Sequence, residues 1–137
     1  MTPFDFTVEG VPISAQNKKP GAVEGWRADV RAAARAAQRT PAPISDDQIG
    51  VTIVYFHAGP AHIDIDNIIK PILDALKKGM VYWDDRQVSQ VVARRTSLSP
   101  GLTIRNPSRT LAAAIDAGRD FVYVGIGPGP DHGMIPV

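Results

Sequence analysis

From Ile63 to Val88 the chain reads IDIDNIIKPILDALKKGMVYWDDRQV, and a change of period inside this stretch limits what the rest can fold into. Asp64 and Asp66 alternate with Ile63 and Ile65, the pattern of an extended segment with carboxylates on one side and isoleucines anchoring the other. From Asp66 onward, Ile69, Ile72, Leu73 and Leu76 recur at helical spacing, while Asp66, Lys70 and Asp74 step by four along a neighbouring face. Asp66 is therefore placed where an extended segment becomes a helix, a position that favours Asp as a cap and through the helix dipole. Pro71 leaves two starts open. A helix from Asp66 loses the bond to the Asn67 carbonyl, whereas one from Lys70 holds Pro71 in its first turn and leaves Asp66 in a loop. Lys77, Lys78 and Gly79 form a C-terminal stop.

The same stretch holds Asp64, Asp66, Asp74, Asp84 and Asp85, five of the fourteen acids in the chain, and none of the five is Glu. Short carboxylates beside apolar residues suit a rigid oxygen site for a hard divalent cation, Mg2+ with Mn2+ as its substitute. Mutual repulsion among such groups turns into binding once a cation is present. Asp84 and Asp85 point to opposite faces of an extended segment, so only one of them joins Asp64 and Asp66. Lys70, one turn from Asp66, is placed either to offset charge on a transition state or to form an ordinary helix ion pair with Asp66 or Asp74.

Elsewhere the chain alternates strand and helix signals. Phe4, Phe6 and Val8 alternate with polar residues as a half-buried strand, and residues 14–21 form a polar loop carrying Lys18 and Lys19. Val23 to Gln38 is alanine-rich and helical, with Arg27, Arg31, Arg35 and Arg39 recurring every four residues near one face. Residues 18–39 carry six bases and two acids, and such a stripe suits either backbone phosphates or plain solvent. The 41–48 loop leaves Asp46 and Asp47 in solvent. Ile49 to His57 is β-branched and aromatic, a central strand covered on both faces that aims the chain at the Asp64–Asp66 segment. His62 is a lesser candidate as ligand or proton shuttle. Gln87 to Ser97 reads as a strand with a basic rim, which makes Arg86, Arg94 and Arg95 further phosphate candidates. Ser108 or Thr110 caps a short helix closed by Gly118, Phe121 to Ile126 is a strand, and the Gly/Pro-rich residues 127–137 form a flexible tail.

With 137 residues and no cysteine, the chain fits one domain, residues 1–126, without disulfides or thiolate metal sites, in keeping with a reducing cytoplasm. No apolar run is long enough to span a membrane. The net charge of +1 becomes +3 once residues 64–85, with five acids and three bases, are set aside, a modest basic surface for a nucleic-acid binder.

The pattern D-x-D-N-x-x-K, then D-A-L, then D-D-x-Q resembles the RusA family of Holliday junction resolvases. Asp64, Asp66, Asn67, Lys70, Asp74, Ala75, Leu76, Asp84, Asp85 and Gln87 carry the likeness across roughly residues 50–95. The resemblance implies an α/β (α+β) single domain with a mixed sheet and packed helices. It implies metal binding by Asp64, Asp66 and Asp85, an essential Lys70, and a homodimer nicking branched DNA in pairs. Asp74 and Asp84 are expected to support the ligands from behind or to be structural. Two rival readings remain. A nucleic-acid-binding module would use the same acids for a structural cation, and a D-x-D phosphohydrolase would want an apolar strand before Asp64, where GPAHI stands.

Overall fold

A computed structural model describes residues 1–45 and 47–130. Asp46 and residues 131–137 therefore lie outside the described residues, and with them the expected solvent position of Asp46 and most of the expected tail. The elements run β1 (Phe4–Glu9), α1 (Ala22–Ala37), β2 (Ile49–His57), α2 (Ile65–Lys78), β3 (Val88–Ser97), α3 (Arg109–Ala117) and β4 (Phe121–Pro128), with a short 3-10 turn at Asp85–Gln87. The four strands form one sheet in the order β1-β4-β2-β3. β4 pairs antiparallel with β1 and with β2, and β2 pairs parallel with β3. The parallel pair needs a crossover, and α2 supplies it, so the acid-bearing helix is tied by both ends to the β3 edge of the sheet.

Strand alternation divides the molecule into two layers of packing. Phe6 and Val8, Val51, Ile53 and Tyr55, and Val122, Val124 and Ile126 point to one face and meet Trp26, Val30 and Ala34 of α1 and Ile68, Ile72, Ala75 and Leu76 of α2. Fully burying side chains of this size contributes about 1.5–3 kcal/mol each, so this face carries most of the stability. The opposite face holds a smaller cluster of Phe56, Leu111 and Phe121, closed by α3 and by Leu98, Leu102 and Ile104. β2 is central, as expected, but covered on both faces only in its second half. Gly50 and Thr52 face an open shallow cavity shared with Val92 and Gly125, because α3 is only nine residues long and reaches no further.

α2 begins at Ile65 and continues through Pro71, which sits buried in the helix interior. This resolves the two starts in favour of the earlier one. Pro71 has no N–H for the Asn67 carbonyl, and the Ala15 amide of the polar loop donates to that carbonyl instead, at 3.3 Å. The helix thus keeps its line, and the unfilled acceptor fastens the 11–20 loop beside Asp64. The first residues of the tail expected from residue 127 belong to the sheet instead. Gly127 and Pro128 pair with β2, and the Gly129 amide donates to the Gln48 carbonyl at 2.8 Å.

Candidate active site

Asp64 occupies the N-cap position of α2 in extended conformation, and Asp66 lies within the first helical turn. The expectation of a single alternating segment from Ile63 to Asp66 is therefore corrected, as is Asp66 as the cap: the helix starts one residue earlier than the alternation needs. Ile63 is buried and anchors the segment, whereas Ile65 is 37% exposed and anchors nothing. Although it is the N-cap, the Asp64 side chain accepts no hydrogen bond from the helix's first amides. Its carboxylate instead lines a cavity with Asn67, His62, Tyr55, Asn17 and Asp120. Asp66, exposed on the next residue but one, is equally uncommitted.

Within residues 63–88 that freedom sets these two acids apart. Asp74 takes Arg27 at 3.2 Å and Lys70 at 3.6 Å, and Asp84 takes Arg86 at 3.0 Å. Asp85 takes Lys77 at 3.2 Å, and Glu24 gathers Arg27, Arg31 and Lys78. Asp120 accepts from the Tyr55 hydroxyl at 2.5 Å and the Ala58 amide at 2.8 Å. The Tyr55 hydrogen bond, with smaller help from the backbone, holds the Asp120 carboxyl below the usual range, and burial pushes the Tyr55 phenol well above its own. Asp120 lines the same cavity as Asp64 and had no local motif to reveal it.

The third acid of the expected trio is elsewhere. Asp85 is held by Lys77 in the last turn of α2, and that helix, fourteen residues long, spans about 21 Å at 1.5 Å per residue. Among the described residues no three Asp, Glu or His side chains are close enough to hold one ion. The meeting of Asp64, Asp66 and Asp85 around one cation inside a single chain is thereby corrected, because the helix between them acts as a spacer. Asp64 and Asp66 stand two residues apart at the start of α2, and Mg2+ is commonly held by one or two carboxylates plus substrate phosphate, so their oxygen donors fit that ion.

The D-D-x-Q segment explains itself as a turn. The Asp84 side chain accepts from the Arg86 amide, while the Gln87 side-chain oxygen accepts from the Trp83 and Asp84 amides at 2.8 and 2.9 Å. The Gln87 amide nitrogen donates to the Ile44 and Asp47 carbonyls. Gln87 is the buried centre of this turn and Asp85 its exposed product. Asp84 caps this turn, and its bonds from Arg86 lower its pKa.

Several phosphate candidates are already occupied. Part of the stripe on α1 braces α2: Arg27 meets Asp74, Arg31 lies against Gly79 and pairs with Glu24 of its own helix, and the exposed Arg35 donates to the Gly79 carbonyl at 2.9 Å, while Arg39 is exposed. Contact with α2 gives Arg27 and Arg35 a structural use for that repeat. Arg95 donates to the Ile63 carbonyl at 2.7 Å and so positions the segment before Asp64. Arg86, 91% exposed, chelates Asp84. Arg94 points to the opposite face of the sheet from Arg95, since neighbours on a strand alternate. Lys18 and Lys19 stay exposed with no ion pair among the described residues, on the loop that Ala15 fastens beside Asp64. A signal that the sequence reading passed over is the absence of any acid from residue 86 to residue 115, a span holding five arginines.

The sequence profile described as Endodeoxyribonuclease RusA matches residues 12–105, from the polar loop through α2 and β3. No curated protein matches the chain.

Proposed function

The chain belongs to the endodeoxyribonuclease RusA family, and from that premise we propose that it cleaves four-way DNA junctions by paired, Mg2+-dependent nicks as a homodimer. The observation that carries the reading is the pair of uncommitted carboxylates, Asp64 and Asp66, at the start of α2, whereas Asp74 further along the helix and Asp85 beyond its end are both paired.

Asp64 and Asp66 would hold the cation, with Mn2+ as the expected substitute, and its chemistry when bound is to polarise the scissile phosphate and offset developing negative charge. Lys70 is 71% exposed and one turn beyond Asp66 on the same helix face, within 3.6 Å of Asp74. An exposed pair of this kind contributes only a few tenths of a kcal/mol, so the lysine is readily released toward a phosphate. Lys18 and Lys19 supply phosphate contacts that position the strand without reading it.

Asp85 enters through the second copy. A two-fold axis crossing α2 near its middle sets each chain's Asp85 end against its partner's Asp64 and Asp66 end. Apolar side chains stand exposed at both ends, Val11 and Ile65 at one and Met80 and Trp83 at the other, which suits such a contact. Two sites related by that axis then face the two strands that a resolvase must nick.

The test is cleavage of a labelled mobile four-way junction by the full chain. Nicks should appear with Mg2+ or Mn2+ and vanish with excess chelator. Asp66→Asn should lower the rate by about 100-fold or more and leave junction binding intact. Undiminished cleavage in chelator overturns the metal role.

A further inference from the structure

On the face of the sheet away from α1 and α2, a cavity of ≈ 310 Å³ opens between β2, the edge strand β3 and the segment that leads into α3. Its floor is apolar, from Val54, Phe56 and Leu111, and its rim carries Arg94 and Arg105. Neither guanidinium makes an ion pair or hydrogen bond among the described residues, although seven of the chain's other lysines and arginines do form ion pairs. Arg109 adds a third exposed arginine at the start of α3. The carboxylate of Asp5, at the neighbouring end of the sheet, already accepts from the Tyr123 hydroxyl at 3.0 Å, and this bond, after burial, pushes the phenol up to about 12.

Exposed arginines without acids beside them, at the rim of a groove in an acid-free span, call for a polyanion. We propose that this groove binds the sugar-phosphate backbone of a second arm of the branched DNA whose junction lies at Asp64 and Asp66. The proposal rests on the nuclease reading and deepens it. Arg94 and Arg95 are consecutive on β3, and Arg95 reaches the Ile63 carbonyl on the acid side, so Arg94 starts on the other side of the same edge strand. A straight duplex lying along α2 does not reach round that edge. A branched molecule, with arms leaving in different directions, does. The guanidiniums would take phosphate oxygens, and the apolar floor would lie under the sugars, so the contact fixes orientation rather than sequence.

The full chain is titrated with a mobile four-way junction and with a linear duplex of equal length across a salt series. Arg94→Ala/Arg105→Ala is compared with wild type and with Arg94→Lys/Arg105→Lys, each checked for an unchanged thermal transition. For the junction, the alanine pair should reduce the slope of log K against log[salt] by about two, and the lysine pair should restore it. The linear duplex should show little change. An unchanged junction slope in the alanine pair overturns the groove while leaving the nuclease reading standing, as does an equal loss on both DNAs, which would make this a general binding face. If wild type binds and cuts no branched DNA, the nuclease reading falls first and the groove with it. Should the alanine pair fail to fold, Arg94→Gln/Arg105→Gln gives the same slope comparison.

Discussion

Gln87 shows how much of a functional motif can be support. Its amide closes a turn by four hydrogen bonds to backbone groups, in a position only 6% exposed, and the product is an exposed Asp85. Gln87→Ala leaves two amides and two carbonyls unsatisfied in partly buried surroundings, each costing about 1–3 kcal/mol where water cannot replace the bond. The expected loss is about 2–4 kcal/mol, read as a lowered denaturant midpoint, and Asp85-dependent activity should fall with it. Asp120 is a second support, held in its charged form by Tyr55 and the Ala58 amide. Because its folded pKa lies below the ordinary carboxyl value of about 3.9, its contribution is present above that pH and is lost as pH falls through the lower folded value. Asp120→Asn should therefore melt earlier than wild type at neutral pH, with the gap closing below about pH 4. A constant gap across the acid range would show that the charge is not what stabilises the cavity wall. The two residues differ in how visible they were: Gln87 sits at a fixed offset from Asp84, whereas Asp120 joins the cavity only because β4 returns beside β2, a contact no local pattern encodes.

Elements were legible where period and punctuation agreed. β2 runs over the residues that its β-branched run indicated, and α3 is capped by Ser108 and closed by left-handed Gly118 as the spacing suggested. Reading failed where two elements share a residue's job. The α1 arginines have the repeat of a phosphate stripe, yet Arg27 and Arg35 of that repeat also brace α2, and Gly79 is small where Arg31 lies against it. It ends α2 as anticipated, but with an ordinary φ of −75°, and the left-handed residue is Met80. A Cβ at position 79 would stand 2.9 Å from Arg31 Cγ and 3.1 Å from the Ala75 carbonyl oxygen. Gly79→Ala should thus cost about 1–3 kcal/mol by forcing the helices apart, measured by chemical denaturation. Pro71 acts in the opposite sense. Pro71→Ala restores an N–H to compete for the Asn67 carbonyl, so the helix gains a bond and the 11–20 loop loses its fastening at Ala15. Faster hydrogen exchange at the Ala15 amide, without loss of global stability, is the expected signature.

At the scale of the whole molecule, α2 is both the carrier of the acids and the distance between them. Asp64 and Asp66 sit at one end and Asp85 is tied to Lys77 at the other, so a chain acting alone does not bring the three proposed ligands together. Sequence spacing could not show this, because residues 64 and 85 are separated by a helix whose two ends the pattern alone leaves free to fold back or to run straight. If the two-fold arrangement holds, the site is composite, and inactive variants should rescue one another. In a heterodimer of Asp66→Asn with Asp85→Asn, one site combines both lesions, while the other joins the intact Asp64 and Asp66 of one chain to the intact Asp85 of its partner. Random exchange of subunits makes half the dimers mixed with one intact site each, so about a quarter of wild-type nicking should return, as single nicks rather than paired ones. A site complete within each chain predicts no recovery at all, since each chain then carries its own lesion. Junction cleavage by the mixed pair, scored for nicked against fully resolved product, separates these outcomes and fixes which chain supplies the third carboxylate.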